Sequence, residues 1–274
     1  MPNDLTEVHE TKLVEQTAPL AAEKDLFCPD AIYECDNDLE IPSLRLDMQA
    51  KRCTIPFLAF GEQKRTYQMN GTGTLHFYVD DYRWGDSLYQ HPEKILKHNP
   101  MNIIEPNYSL FNDTPIAFGM QAIYKKRLIS RYMQEKGIRV FADLNVASKF
   151  YKLNMIGIPQ GWKAYATRGY SDRVHYLEFE HKLAQSWSGI ENPLFVVYGG
   201  GNVIKDYCRN HGLIYVTPMV VIKKKLKAVK EMSETVAFFG QELSLSSMLP
   251  SNHKMPRLED IKSLQIEDYC DEKL

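Results

Sequence analysis

Short runs of β-branched and aromatic residues alternate with longer segments of helical spacing over residues 74–230, and each run ends in a polar cluster. Runs of this type predict strands, and the segments between them predict helices. The predicted strands are TLHFYV from Thr74, Asn102–Ile104, Ile138–Ala142, Lys163–Ala166, Leu194–Tyr198 and Leu213–Val216.

Alternation of strands and helices indicates right-handed crossovers and a mostly parallel sheet. The expected fold class is α/β, built from repeated βα units. A partial or irregular barrel-like form is favoured, and an open doubly wound sheet is the alternative. In both architectures the carboxyl ends of the strands share one edge, where ligands bind. The polar clusters are therefore predicted to converge there.

The helix between the second and third predicted strands has the clearest boundaries. Thr114 can cap it, Pro115 suits its first turn, and Gly137 can end it. Its apolar face is expected to pack on the core and comprises Ile116, Met120, Ile123, Tyr124 and Leu128. Its opposite face is expected to be solvated and carries Lys125, Lys126 and Arg131.

The chain divides into four predicted segments. Residues 1–24 are polar, aperiodic and free of aromatic residues, which predicts a disordered tail. Residues 25–73 carry short apolar clusters broken by Pro and Asp, which predict an extended segment wrapped on the core. Residues 74–230 are the predicted core domain. Residues 231–274 are acidic and Ser-rich, and predict a second tail with a short helix.

The composition indicates where the protein acts more clearly than what it does. Lys plus Arg (33) nearly balances Asp plus Glu (35), so no global charge favours nucleic acid or membrane. The chain shows neither a basic secretory leader nor an apolar run of membrane length, so we expect a cytoplasmic protein with no membrane partner. The 5 cysteines include no CxxC pair, which indicates reduced thiols.

Carboxylates and one arginine at the predicted strand ends are candidates for catalysis. Carboxylates from different strands could hold Mg²⁺ through oxygen ligands, or could act as acid and base where mutual repulsion raises a pKa. Helix capping is the alternative role. The candidate catalytic residues are Asp80, Asp81, Glu105, Asp143 and Arg168, and the candidate metal ligands are Asp80, Asp81 and Asp143.

Arginines and glycines near the same edge are candidates for binding phosphate. Arg168 could grip an anion through two parallel hydrogen bonds, or could pair with a neighbouring acid. Glycine amides at a helix N-terminus could cradle phosphate, although a tight turn explains the run equally well. The predicted substrate or phosphate contacts are Arg83, Asn107, Ser109, Asn145, Tyr170, Gly199, Gly200, Gly201 and Asn202.

A basic run follows the last predicted strand. It could attract a nucleic-acid backbone. A solvated helix face is the alternative, since no aromatic residues are interleaved to stack bases. The candidate nucleic-acid contacts are Lys223, Lys224, Lys225 and Lys227. His76 and Cys208 lie among apolar neighbours and are interpreted as core residues.

Several stretches occur in an order that resembles a family known only as a domain of unknown function, carried largely by bacteriophages, plasmids and integrated elements. They are HFYVDDYRW, EPNYSLFNDTP, YKKRLISRYMQEKGIRVFADLNVA, GIPQGWKAYATRG and VVYGGG. The resemblance covers roughly residues 40–220 and implies a phage or mobile-element setting, with no established activity. It places Pro106, Asp113, Arg127, Tyr132, Gln134, Gly157 and Trp162 in the shared pattern without assigning them roles.

Three functions are compatible with these patterns. The first is an enzyme acting on a nucleotide or nucleic acid in replication of the element or host takeover, with strand-end carboxylates holding a metal or transferring protons. The second is a non-catalytic module that binds DNA or a phage or host replication protein. The third is a small-metabolite enzyme on a barrel-like fold. Fold analogy does not choose among them.

Overall fold

Seven parallel strands form the centre of the molecule in a computed structural model that describes residues 33–61 and 69–228. Each strand pairs with the next along the chain, and the sheet nearly closes into a barrel with one open seam. Sequential order confirms the predicted barrel-like α/β fold, because a doubly wound sheet reverses its strand order. The strands are β1 Phe57–Ala59, β2 Thr72–His76, β3 Pro100–Ile104, β4 Arg139–Asp143, β5 Ala164–Arg168, β6 Leu194–Tyr198 and β7 Ile214–Val216.

From β2 to β7, helices connect successive strands and cover the outside of the barrel. The longest, between β3 and β4, starts next to Pro115 and ends before Gly137, close to the predicted boundaries. None of the helices in the described ranges has the length and apolar character that a bilayer crossing requires. The helices are α1 Gly85–Gln90, α2 Ile116–Glu135, α3 Tyr151–Asn154, α4 Val174–Ser188, α5 Gly201–His211 and α6 over residues 219–228.

Side chains alternate between the barrel interior and the helical layer, as a period of two requires. Phe57 of β1 and Tyr198 of β6 stack inside, with ring centroids 5.9 Å apart. Strands that are distant in sheet order therefore face each other across a filled interior. His76 also lies inside, and burial lowers its pKa to about 3. This histidine is a core residue, as predicted.

The segment before β2 contributes more than the extended wrap predicted for residues 25–73. Phe57–Ala59 forms β1 and pairs with β2 in parallel. The Ala50 N–H donates to the Val140 carbonyl at the start of β4 (2.9 Å), so the chain before β1 also crosses the amino end of the barrel. The predicted tails, residues 1–24 and 231–274, lie outside the described residues.

Two predictions about α2 are wrong. Ile116, expected to pack on the core, is 53% exposed. Lys126, expected on a solvated face, is 2% exposed. Its ammonium donates to both the carboxylate and the carbonyl of Asp143, at 3.3 and 2.9 Å. Burial of a lysine is tolerated where a carboxylate and a carbonyl replace its hydration.

Candidate functional site

A cavity of about 220 Å³ opens at the carboxyl ends of the strands. Its walls come from the loops after β2, β3, β4 and β5 and from α4, so chain segments far apart in sequence meet there. Ligand sites of (β/α) barrels occupy this same end. The polar lining includes Asp80, Asn107, Asn145, Arg168, Tyr170 and Glu180.

Asp143, the last residue of β4, lies beneath the cavity and is fully buried. Its carboxylate accepts from the Tyr78 hydroxyl (3.0 Å), the Asn107 amide (3.0 Å), the Lys126 ammonium (3.3 Å) and the Asn145 N–H (3.2 Å). Burial raises the pKa of Asp143, and the Lys126 ammonium acts in the opposite direction. Because all four contacts are donors, the network suits a carboxylate that organises the floor of the cavity.

Glu105 forms a second buried ion pair beside Asp143. Its carboxylate accepts from the Arg127 guanidinium, and from the Asp143 N–H at 3.1 Å. Arg127 also donates to the carbonyls of Asn154 (2.6 Å) and Ile156 (3.2 Å). Glu105 and Arg127 are both fully buried and neither lines the cavity. This pair therefore joins β3 to α2 and the loop after α3, and has no direct access to a ligand.

Asn107 and Asn145 lie between this buried layer and the cavity. The Asn107 Nδ2 donates to Asp143 and to the Asn145 carbonyl (2.8 Å), and its Oδ1 accepts from the Asn145 Nδ2 (3.1 Å). These contacts fix the orientation of both amides. Asn145 lines the cavity, and within the described residues no donor reaches its Oδ1.

Glu180 on α4 is a cavity residue that the sequence analysis missed. It is 4% exposed, and its Oε1 accepts from the Tyr151 hydroxyl at 3.3 Å. Burial raises the pKa of Glu180 to about 8, and the nearby Asp143 charge acts in the same direction, whereas Thr167, Tyr151 and Lys126 oppose it. At neutral pH the side chain is therefore mostly a neutral acid that can donate a proton. The sequence carried one signal for it, an acid on the buried face of α4 with Leu177 and Ala184.

Two guanidinium groups gather around the ring of Tyr170. Arg168 and Arg173 lie with their Cζ atoms 5.4 and 5.2 Å from the ring centroid, and all three residues line the cavity. The Arg173 Nε is 3.4 Å from the carboxylate of Asp172. In contrast, no carboxylate of the described residues lies within ion-pair distance of Arg168. The cavity thus contains a cation whose charge is available to an anionic ligand.

Asp80, Arg83 and Asp81 lie at the outer rim. Asp80 lines the cavity, and its carboxylate is 3.8 Å from the Arg83 guanidinium. Asp81 accepts from the backbone N–H of Ser109 (2.9 Å) and is not part of the lining, whereas Ser109 is. Arg83, which the sequence suggested as a phosphate contact, therefore pairs with an acid in the structure.

The three predicted magnesium ligands, Asp80, Asp81 and Asp143, do not form a cluster that could bind a metal ion. In residues 33–61 and 69–228, no three His, Cys, Asp or Glu side chains are close enough to hold a metal ion. Asp80 is exposed at the rim, Asp81 contacts a backbone N–H, and Asp143 is surrounded by four protein donors. We therefore do not assign a cation to these carboxylates.

The glycine run after β6 lies beside the cavity and is not part of its lining. A Cβ on Gly169, in the loop after β5, would lie 2.4 Å from the Gly199 carbonyl oxygen. Gly200 has φ +94° and comes directly before α5. Close packing of two loops and a left-handed turn account for these glycines.

The remaining predicted contacts lie on the surface. Asn202 is exposed and starts α5 together with Gly201, and the exposed residues Lys223, Lys224, Lys225 and Lys227 lie on α6.

Comparisons with known proteins identify relatives. A family model described as "Domain of unknown function (DUF4417)" matches residues 33–208. The "Gene 1 protein" of Mycobacterium phage D29 is 31% identical over 100 residues, covering 35% of this chain and 37% of the relative. The "Gene 1 protein" of Mycobacterium phage L5 is 28% identical over 140 residues, covering 49% and 61%. The matches thus span less than two thirds of either phage protein. No solved structure matches significantly.

Proposed function

The chain belongs to the DUF4417 family, a phage-associated family of unknown function, and we propose that its cavity binds a phosphate-bearing substrate and supplies it with a proton. Arg168 is the anion contact and Glu180 is the general acid. One observation carries the proposal: within the described residues, an arginine with no carboxylate at ion-pair distance and a buried acid with a raised pKa line the same small cavity. Active sites commonly combine such groups.

The other cavity residues have supporting roles in this proposal. Arg173 adds a second positive charge near Tyr170, and Asn145 offers an oriented acceptor. Asp143, predicted as a catalytic residue, positions the two asparagines instead. The buried Glu180 donates its proton to the part of the substrate that enters the cavity, and the exposed Arg168 guanidinium holds the phosphate. We also propose that the protein acts in the cytoplasm of the bacterial host cell.

Binding to inorganic phosphate and to nucleoside monophosphates tests the phosphate contact. We expect Arg168→Gln to weaken binding of both at least tenfold, since a hydrogen bond to a charged group contributes about 1.5–3 kcal/mol. Arg52→Gln is the matched control, because Arg52 is exposed near Met101 at the amino end of the barrel. Isothermal titration calorimetry gives both affinities. Equal affinity in the two variants would refute the role of Arg168.

A nucleic-acid-binding module is the second candidate, and exposure of four lysines on α6 favours it. In that case Lys223, Lys224, Lys225 and Lys227 hold a strand by its backbone, and replacing all four with Gln should abolish salt-sensitive DNA retention. The same variant leaves phosphate binding in the cavity unchanged. The two candidates are therefore separated by which substitution, on α6 or at Arg168, removes binding.

A further inference from the structure

The floor of the cavity has a chemistry that a phosphate group alone does not match. Glu180 offers a hydroxyl donor at neutral pH, and the Oδ1 of Asn145 offers an acceptor. A phosphate dianion carries only acceptors, so it has no donor for the Asn145 oxygen. The group that reaches the floor must instead carry both a donor and an acceptor, as the edge of a nucleobase does.

The rim of the cavity adds an aromatic surface. Phe111 lines the opening and is 65% exposed. Its backbone is held in a tight turn, because its N–H donates to the Thr114 hydroxyl (3.0 Å) and its carbonyl accepts from the Thr114 N–H (3.1 Å). A phenyl ring on an anchored backbone at the entrance of a polar cavity is suited to stacking on a planar ligand.

The size of the cavity limits how much of a ligand it encloses. Its volume of about 220 Å³ is below the ~300–1,000 Å³ that is usual for sites enclosing drug-sized molecules. One base can therefore enter, while the rest of a nucleotide lies toward the opening. Arg168 is exposed at the end of β5 and can meet the charged part of such a ligand there.

We propose that the ligand is a nucleoside 5′-monophosphate group, with its base against Glu180, Asn145 and Phe111 and its phosphate at Arg168. This inference rests on the proposed function and adds that the base contributes to recognition. The group is either a free nucleotide or the 5′ end of a DNA strand, since both present the same base and phosphate.

A graded series of probes measures the contribution of each part. The probes are inorganic phosphate, deoxyribose 5-phosphate, the four deoxynucleoside 5′-monophosphates and a 5′-phosphorylated oligonucleotide. Isothermal titration calorimetry with the full chain gives each affinity. We expect at least one nucleotide to bind about tenfold or more tightly than the sugar phosphate, since stacking of a base on an aromatic ring is of this order. Tighter binding of the 5′-phosphorylated oligonucleotide than of the nucleotides indicates that the ligand is the end of a strand, and the reverse order indicates a free nucleotide.

Removing the aromatic rim tests the base contact directly. Phe111→Ala should weaken nucleotide binding about tenfold and leave binding of deoxyribose 5-phosphate unchanged. Phe118→Ala is the matched control, because Phe118 is 64% exposed on α2 and is not part of the cavity lining. Both side chains are largely in solvent, so both variants are expected to fold.

The outcomes separate this inference from the proposed function. Equal affinity for the sugar phosphate and all four nucleotides, or equal loss in the two phenylalanine variants, overturns the role of the base and leaves phosphate binding in place. Failure of every phosphate-bearing probe to bind overturns both. Tighter nucleotide binding that depends on Phe111, and not on Phe118, supports the inference.

Discussion

Replacing Arg127 with methionine tests whether the buried charges under the cavity hold the barrel together. Arg127 is fully buried and donates to Glu105 and to the carbonyls of Asn154 and Ile156. The substitution keeps an apolar chain of similar length and removes only the guanidinium. It leaves the Glu105 carboxylate with the Asp143 N–H and with the Lys126 ammonium 4.0 Å away.

The expected loss in the free energy of unfolding is large. Breaking a buried ion pair by removing one partner costs about 3–5 kcal/mol, and unmet backbone acceptors add to this cost. Since total stabilities are about 5–15 kcal/mol, Arg127→Met should remove much of the stability. The control Arg209→Met breaks a pair with Asp206 on the surface, where Arg209 is 49% exposed, and should cost no more than about 1 kcal/mol.

Urea unfolding of the full chain, followed by tryptophan fluorescence, measures both losses. A second substitution checks the cause: Glu105→Gln in the Arg127→Met background removes the carboxylate charge that has lost its guanidinium partner, and should recover part of the lost stability. If Arg127→Met costs less than about 1 kcal/mol more than Arg209→Met, or if the double variant recovers nothing, the buried charge is not what stabilises this region.

The other predictions concern the cavity and its neighbouring loop. Glu180 should titrate near pH 8 by carboxyl ¹³C NMR, and a midpoint below 6 would contradict its assignment as a neutral acid. The pKa of Glu180 is higher in the folded state than in the unfolded state, so between about pH 4.5 and 8 only the folded state keeps the proton. The free energy of unfolding should therefore fall as the pH rises through this window. The fall should be smaller in Glu180→Gln. Gly169→Ala should cost about 1–3 kcal/mol, since the added Cβ would lie 2.4 Å from the Gly199 oxygen and 2.8 Å from Ile204. The control is Gly85→Ala, whose Cβ would make an ordinary 3.7 Å contact with Tyr108. If Gly169→Ala and Gly85→Ala are equally stable in urea, the loops around Gly169 move to accommodate the added methyl group.

The strands after the first were predictable because each is a β-branched or aromatic run with clear ends. Leu194–Tyr198 matches its predicted bounds, and the other five predicted runs overlap β2, β3, β4, β5 and β7. β1 was missed, since a strand of three residues directly after Pro56 is too short to show alternation. Its place in the sheet depends on pairing with β2, which is a tertiary contact.

The sequence predicted that polar residues would converge at one edge of the sheet, and the cavity lies at that edge. Asp80, Asn107, Asn145, Arg168 and Tyr170 all line one cavity, because parallel strands deliver their following residues to one edge. The sequence does not reveal which polar residues pair with each other. Lys126 has the spacing of a surface lysine, and the acid that binds it is 17 positions further along the chain.

The sequence by itself determined the strand and helix alternation, the parallel direction of the sheet and the edge at which polar residues collect, because periodicity and crossover handedness are local properties. Only the tertiary structure decided that Asp143 and Glu105 are paired with Lys126 and Arg127 beneath the site. Only the tertiary structure also decided that Glu180 faces the cavity as a neutral acid. Ionisation and access depend on burial and on partners brought together from distant parts of the chain, which no local pattern records.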